Sequence, residues 1–331
     1  MFSNKVPVYY PTDMKPILLV VIDTEEEFDW KKPVNSSNCA VGHMDYLDRC
    51  QDIFNEYNIV PCYVVDYPIV SQQAGCRLLK KFHSAGQCEI GAHLHPWVNP
   101  PFAEGALAAQ SYPGNLPFDL ELEKMRVLKS LVDTEFGQNT KVYKAGRHGF
   151  GPNTEHILQL LGFEIDVSVS PPVDYSQDGG PDYTHYTAHP FWFGQNRLLE
   201  LPMTGAFVGN AGRYSPDVYK LAQTLKKMRV PGILSRLNVV DRLVLSPEGF
   251  NQREHRKLTE ALFKTGSRVF TWSFHSPSLV PGHTMYVKND KELTQFLGEF
   301  RRFFDFFFGE LAGVSSTPTK IREILLNNVG R

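Results

Sequence analysis

The chain has 331 residues, of which 42% are hydrophobic and 21% charged, as is typical of a folded globular protein. Its formal net charge is −2 and no long basic run occurs, so the charge pattern does not favour a nucleic-acid partner. The longest aliphatic run near the start, residues 17–22, is far shorter than the roughly 20 residues of a membrane helix, so no integral membrane segment is expected there. Residues 1–15 lack the apolar core of a secretory leader. The five cysteines form no C-x-x-C pair, which favours reduced thiols and a cytoplasmic protein.

Apolar runs alternate with helical patterns along the chain. The first run, residues 16–23, is almost continuously aliphatic and predicts a strand buried on both faces. Further strands are predicted at residues 58–65, 88–93, 141–145, 163–168, 198–202, 241–245 and 268–274. Helices are predicted at residues 44–57, 72–85, 117–136, 153–161, 215–228, 251–265 and 291–308. This alternation indicates βαβ units with a mainly parallel sheet, and seven or eight such units fit an α/β barrel better than an open sheet.

Two long segments, residues 99–116 and 170–197, interrupt the alternation and are rich in Pro, Gly, Tyr and Asp. Long connections inside a compact domain are usually functional. We therefore expect these segments to wall a cleft.

The first predicted strand ends in Asp23-Thr24-Glu25. Ligands of parallel α/β folds lie outside the carboxyl ends of the strands, and residues i and i+2 of an extended segment face the same way. Asp23 and Glu25 can therefore point into one site, one as a water-activating base and the other as a metal ligand. Glu26 and Glu27 fit a solvated acidic turn better.

The third predicted strand ends in a second polar cluster, in which His93 and His95 again share a face. Pro96 biases His95 towards an extended backbone. Imidazole nitrogens beside a carboxylate suit a borderline cation such as zinc. The pattern therefore predicts a metal site formed by Glu25, His93 and His95.

The fourth predicted strand leads into a glycine-rich segment that presents two cations, Lys144 and Arg147. Its glycine order, G-x-x-G-x-G, matches neither a dinucleotide fingerprint nor a P-loop. Asp166 lies inside the fifth predicted strand, where a charge must be paired, and is a candidate partner of Lys144 or Arg147. The last predicted strand ends at His275, an imidazole suited to protonate a leaving amine, which we expect on the wall opposite the acidic pair.

These motifs, in this order, resemble those of polysaccharide deacetylases with the NodB homology domain, also called carbohydrate esterase family four, and more narrowly its WalW-type branch. The resemblance covers roughly residues 18–287. The similar segments are Asp23-Thr24-Glu25, the histidine motif at 89–95, the arginine motif at 144–149, Ile165-Asp166, and the final histidine motif at 274–279.

The resemblance implies a distorted (β/α)7-type barrel with long loops over its C-terminal rim. It implies one catalytic domain over residues 1–331, with the motifs in a core of about 17–287 and C-terminal helices in 288–331. The implied activity is a metal-dependent hydrolase that removes an acetyl or formyl group from an amino sugar in a polysaccharide or its precursor.

Roles also follow from the resemblance. Asp23 would be the base, Arg147 or Lys144 would orient it, and His275 would be the acid. A divalent metal, with zinc expected, would be held by Glu25 with His93 and His95.

The sequence departs from the family pattern in two places. The His-x-x-x-His spacing of the family would place the second histidine at Trp97 or Asn99, so the site is rebuilt with His93 and His95, or with His95 and Asn99. The family arginine falls on Lys144 in one alignment, which leaves Arg147 with a different role. A metal-free carbohydrate-binding barrel and a glycoside hydrolase, using Asp23 or Glu25 with Asp166 or Glu200, are the alternatives to a deacetylase.

Overall fold

The chain folds into a central, mostly parallel β-sheet flanked by α-helices in a computed structural model, which describes residues 1–11, 13–102, 108–225 and 229–327. The strands are β1 (Val6–Pro7), β2 (Ile17–Thr24), β3 (Cys62–Val65), β4 (Glu89–Leu94), β5 (Val142–Ala145), β6 (Ile165–Asp166), β7 (Phe191–Phe193), β8 (Leu198–Glu200), β9 (Gly205–Val208), β10 (Asp241–Val244), β11 (Val269–His275) and β12 (Val314–Ser315). The helices are α1 (Asp48–Glu56), α2 (Tyr67–Ser71), α3 (Gln73–Ser84), α4 (Phe118–Phe136), α5 (Thr154–Leu161), α6 (Ser215–Thr224), α7 (Val230–Arg236), α8 (Gln252–Lys264), α9 (Asp290–Phe304) and α10 (Pro318–Asn327).

The main sheet has the strand order β1-β7-β8-β6-β5-β4-β3-β2-β11, and β12 also pairs with β2. The strands from β8 to β11 in this order run parallel, whereas β7 pairs antiparallel with both β8 and β1. A separate antiparallel ribbon of β9 and β10 follows β8. Two isolated backbone hydrogen bonds join this part of the chain to β11. Thr204 N donates to Thr271 O at 3.4 Å, and Ser273 N donates to Leu245 O at 3.3 Å. The predicted α/β class with parallel strands and surrounding helices is confirmed.

The strands that carry the predicted site lie in the centre of the sheet. All eight residues of β2 are buried, as its unbroken aliphatic run predicts for a strand covered on both faces. On one side, the Trp272 ring of β11 stacks on Phe303 of α9 with centroids 4.6 Å apart. This packing fixes β11 beside β2 and thereby fixes the residues at the ends of both strands.

Several short elements differ from the sequence prediction. The predicted cleft segment 170–197 contains β7, because its Phe-Trp-Phe sequence is apolar enough to add an antiparallel strand at the sheet edge. The helix predicted at 291–308 is α9 up to Phe304, followed by a π-helical turn at Asp305–Glu310. The predicted helix 215–228 ends at Thr224, and residues 226–228 lie outside the described residues.

Two further observations bear on the general class of protein. In the described part of the chain, we find no helix with both the length and the apolarity needed to cross a bilayer. All five cysteines are free thiols, and only Cys39 is exposed.

A buried carboxyl group in α4 should make stability depend on pH. Glu121 is fully buried and accepts a hydrogen bond from Thr154 Oγ1. Burial raises its pKa to about 7, against the lowering effect of the Thr154 bond. This pKa is higher than the pKa of a glutamate in the unfolded chain. The stability that the protonated carboxyl contributes is therefore complete in acid and is lost as the pH rises through 7.

We therefore expect Glu121→Gln to stabilise the protein at pH 8, by at most about 3 kcal/mol, and to change little at pH 4. Chemical denaturation of both proteins at each pH measures the difference. Glu123→Gln, on the exposed side of the same helix, is the matched control. Equal pH dependence of Glu121→Gln and wild type would show that the buried carboxyl does not titrate as described.

Candidate active site

The predicted site residues meet at the carboxyl edge of the parallel sheet. Asp23 and His275 are paired residues of the adjacent strands β2 and β11, and His93 and Lys144 are paired residues of β4 and β5. The expectation that His275 lies on the wall opposite Asp23 is wrong, because β11 is the direct neighbour of β2. Because of this register, the Asp23 carboxylate and the His275 imidazole lie closer together than they would on opposite walls.

Asp23 and Lys144 form a buried ion pair. Lys144 Nζ lies 2.6 Å from Asp23 Oδ1 and 2.8 Å from Oδ2, and both residues are at least 96% buried. Burial alone would raise the pKa of Asp23, but the Lys144 ammonium and the His93 and His275 imidazoles outweigh it, and the pKa lies below its usual value. Asp23 is therefore held as a carboxylate in a fixed orientation.

The second group consists of Glu25, His93 and His95, all about 2% exposed. Glu25 Oε2 lies 3.6 Å from His93 Nε2 and 3.4 Å from His95 Nε2. Both separations are longer than an ordinary N–H···O bond. They are close to the distance of about 3.3 Å between two ligands of one tetrahedral zinc ion with bonds of about 2.0–2.1 Å.

The hydrogen bonds of the two imidazoles fix which nitrogen carries the proton. His93 Nδ1 lies 3.1 Å from the Lys144 carbonyl oxygen, and His95 Nδ1 lies 2.7 Å from Glu26 Oε2. A carbonyl oxygen accepts only, and the Glu26 oxygen also serves as an acceptor, so each Nδ1 donates and each Nε2 keeps its lone pair. Burial lowers the pKa of both histidines, to about 4 for His95, so both rings are neutral near pH 7.

Three potential ligand atoms, the two Nε2 atoms and Glu25 Oε2, therefore converge, and Glu25 Oε1 has no hydrogen-bond partner among the described residues. Burial raises the pKa of Glu25 well above its usual value, and the Glu26 and Asp23 carboxylates add to this effect against the opposing His275. A divalent cation would bind both imidazole lone pairs and favour the ionised form of Glu25, and the two-imidazole, one-carboxylate set suits zinc. The residues present thus fit a metal.

Glu26 supports this group from behind. Its carboxylate accepts from His95 Nδ1 at 2.7 Å and from Trp97 Nε1 at 2.6 Å, and its backbone N–H donates to Asp66 Oδ2 at 2.7 Å. Burial, followed by the adjacent Glu26 charge, raises the pKa of Asp66 well above its usual value. Glu26 is fully buried, so the interpretation of Glu26 as part of a solvated turn is wrong. The acidic run concealed this residue because its sequence resembles an exposed loop.

His275 is held by a residue that the sequence analysis missed. Glu248, four residues beyond β10, accepts from His275 Nδ1 at 2.7 Å and from the His275 backbone N–H at 3.2 Å. Burial would lower the pKa of His275, but Glu248 and then Glu25 and Asp23 raise it to about 10. His275 Nε2 faces Asp23 Oδ2 at 3.6 Å. The rule that ligands lie at the ends of parallel strands does not identify Glu248, because β10 pairs antiparallel with β9 and lies outside the parallel sheet.

The structure places the remaining predicted site residues away from Asp23. Arg147 is exposed, lies 4.1 Å from the Tyr112 ring centroid and contacts Asp178 at 3.7 Å. The backbone of Arg147 has a positive φ of 54°. The residue before it must be small, because a Cβ atom at Gly146 would lie only 2.6 Å from His95 Cδ2. Of the two cations proposed to orient Asp23, Lys144 is the one that contacts it.

Asp166 and Asn99 also have other partners. Asp166 accepts from Ser168 Oγ at 2.6 Å and lies beside Glu200 in the β6–β8 pair, rather than contacting Lys144 or Arg147. The Asn99 amide group donates to the carbonyl oxygens of Pro100 and Lys124. The pair of His95 with Asn99 is therefore not the one that meets Glu25.

Aromatic rings contact the histidines of the candidate site. Trp30 lies edge-on to His275 with centroids 4.7 Å apart, and Trp97 stacks on His95 at 4.2 Å. Tyr175, in the long segment predicted to wall a cleft, stacks on His148 at 5.5 Å. Flat apolar rings beside polar groups are suited to bind the faces of sugar rings.

Three solved structures share this fold over nearly the whole chain. A protein assigned as a polysaccharide deacetylase from Mycobacterium smegmatis aligns with a TM-score of 0.53 at 15% identity, covering 99% of this chain and 96% of that one. The Puue allantoinase aligns with a TM-score of 0.53 at 13% identity, covering 99% of this chain and 96% of that one. The 4-alpha-glucanotransferase from Thermococcus litoralis aligns with a TM-score of 0.51 at 14% identity, covering 94% of this chain and 40% of that one.

At these identities the similarity shows a shared fold. No protein-family model matches the chain, and no curated protein matches it. The chain thus shares its fold with a protein assigned as a polysaccharide deacetylase, with an allantoinase and with a 4-alpha-glucanotransferase.

Proposed function

We propose that the chain is a metal-dependent hydrolase of the polysaccharide deacetylase family, in its WalW-type branch, and that it removes an acetyl or formyl group from an amino sugar. In this proposal residues 1–331 form one catalytic domain, with the motifs in about 17–287 and C-terminal helices in 288–331. The free cysteines support a reducing, cytoplasmic location.

One observation carries the proposal. Two histidine lone pairs and the Glu25 carboxylate converge, next to a carboxylate held by Lys144 and an imidazole held by Glu248. A base, an acid and a candidate cation site within one buried cluster are what amide hydrolysis needs. A sugar-binding protein needs none of these groups in this ionisation state.

Glu25, His93 and His95 would hold the cation, which would polarise an acyl oxygen and lower the pKa of a bound water to about 7. Asp23, kept ionised and oriented by Lys144, accepts the proton of the attacking water. His275, protonated near pH 7 because of Glu248, donates a proton to the departing amine. The Trp30 and Tyr175 rings beside the site histidines would bind the sugar.

The test is release of acetate or formate from N-acyl amino sugars and their polymers. Asp23→Asn should lower the rate by about 10²–10⁴-fold because it removes the base, and metal chelation should abolish it. Asp52→Asn, an exposed change on α1, is the matched control. Equal activity of Asp23→Asn and wild type would end the proposal. A reducing sugar as the product, without a metal requirement, would instead favour a glycoside hydrolase.

Glu26→Gln should weaken metal binding by about 10–100-fold while the fold is retained. The amide is a weaker acceptor for His95 Nδ1–H, so the ring is less well oriented and less basic at Nε2. Competition of the purified protein with a fluorescent zinc chelator measures the affinity. Glu27→Gln is the control, because Glu27 contacts His43 and not His95. Equal zinc affinity of Glu26→Gln and wild type would rule out this supporting role.

A further inference from the structure

The connection between β9 and β10 carries an unusual surface. It contains α6 and α7, which pack against each other and leave the sheet between residues 208 and 241. One face of α6 is anchored, since Tyr219 lies 5.2 Å from the Phe207 ring of β9 and Ala222 is 2% exposed. Among the described residues, the neighbouring side chains of this segment are exposed.

That exposed face is apolar. Leu221 of α6 and Leu225, the residue that caps its C-terminus, lie four residues apart and are 66% and 42% exposed. Ile233 of α7 and Leu237, the residue that caps that helix, repeat this spacing and are 49% and 66% exposed. We call these four residues the leucine–isoleucine face. Single exposed apolar residues need no explanation, but two matched pairs on adjacent helices indicate a binding surface.

The segment that carries the leucine–isoleucine face also carries exposed cations. Lys220, Arg229 and Arg236 are exposed, and Asp217 is the single acidic residue of residues 215–236. A second copy of this surface would be repelled by its own charge. Exposed aliphatic residues with flanking Lys and Arg on short helices match the chemistry of an anionic bilayer surface.

We propose that the leucine–isoleucine face docks the protein on anionic membranes. The four aliphatic side chains enter the boundary between headgroups and acyl chains, and Lys220, Arg229 and Arg236 contact lipid phosphates. This mode of binding lies in the plane of the interface and needs no spanning helix.

The anchored side of α6 adjoins the β9–β10 ribbon. Arg242 of β10 lies 5.8 Å from the Tyr219 ring of α6.

The test is flotation of the full-length protein with vesicles of phosphatidylcholine alone or mixed with phosphatidylglycerol. We expect binding to the mixed vesicles only, weakened by raised salt because the charges are screened. Combined Leu221→Ser, Leu225→Ser, Ile233→Ser and Leu237→Ser should reduce binding by at least about tenfold, and each of Lys220→Glu and Arg236→Glu by about fivefold or more.

The matched control is Leu160→Ser with Ile324→Ser, which removes exposed apolar side chains elsewhere and should leave vesicle binding unchanged. Circular dichroism checks that each variant is folded. Binding of wild type to neither vesicle type, or equal binding of wild type and the fourfold variant, would overturn the proposal. So would a concentration-dependent dimer that the fourfold variant abolishes, since the face would then bind a second copy. Vesicle binding is measured without turnover, so its outcome is independent of the proposed hydrolase activity.

Discussion

Lys144→Met is expected to reduce acyl release by at least about 10²-fold and to destabilise the protein by about 3–5 kcal/mol. The cause is the same for both effects. Lys144 Nζ donates to both oxygens of Asp23 at 2.6 and 2.8 Å inside the sheet, so the variant leaves a buried carboxylate without its counter-ion. Asp23 would then take up a proton and cease to act as a base. Steady-state kinetics and urea denaturation measure the two effects separately.

Further variants keep this prediction testable if Lys144→Met folds poorly. Asp23→Asn combined with Lys144→Met removes both charges and should recover most of the lost stability but none of the activity. Lys144→Arg keeps the charge and should retain more activity than Lys144→Met. Full activity of Lys144→Met, or a double variant as active as wild type, would contradict the role of the ion pair.

Glu248→Gln is expected to move the alkaline limit of activity towards neutral pH. His275 must be protonated to donate to the leaving amine, so activity is lost as the pH rises through its pKa of about 10. Burial favours the neutral ring, and Glu248 is the largest influence that opposes it. Without the Glu248 charge the pKa of His275 falls, so the alkaline loss of turnover begins at a lower pH than in the wild type.

The readout is the pH profile of kcat/KM, which a purely structural role of Glu248 would not shift. His275→Gln should lose about 10²–10⁴-fold in activity at every pH, because the acid is absent. Glu323→Gln, an exposed change on α10, should match wild type. A Glu248→Gln profile with an unchanged alkaline limit would show that Glu248 does not control this proton.

Strand patterns, together with the rule that ligands lie at strand ends, predict which residues meet in the candidate site. Asp23, His93, Lys144 and His275 each lie at or next to the end of a predicted strand, and parallel neighbours bring such residues to one edge of the sheet. The sequence could not give the order of the strands. For this reason His275 was expected across the barrel from Asp23, although β11 pairs directly with β2.

The residues that support the site were harder to predict, for physical reasons. Glu26 belongs to an acidic run, and only the burial of its side chain between His95 and Trp97 distinguishes it from a solvated residue. Glu248 lies 27 residues before His275, and no local pattern links the two. Arg147 follows the expected motif, but its positive φ and its contacts with Tyr112 and Asp178 direct it away from Asp23.

The most direct test of the central claim is the anomalous diffraction signal of zinc in crystals of the wild-type protein. We predict one strong peak within bonding distance of Glu25 Oε2, His93 Nε2 and His95 Nε2. A catalytically active protein whose crystals show no peak there, or a peak only beside Glu26 and Asp66, would contradict the claim that these three residues hold the catalytic cation.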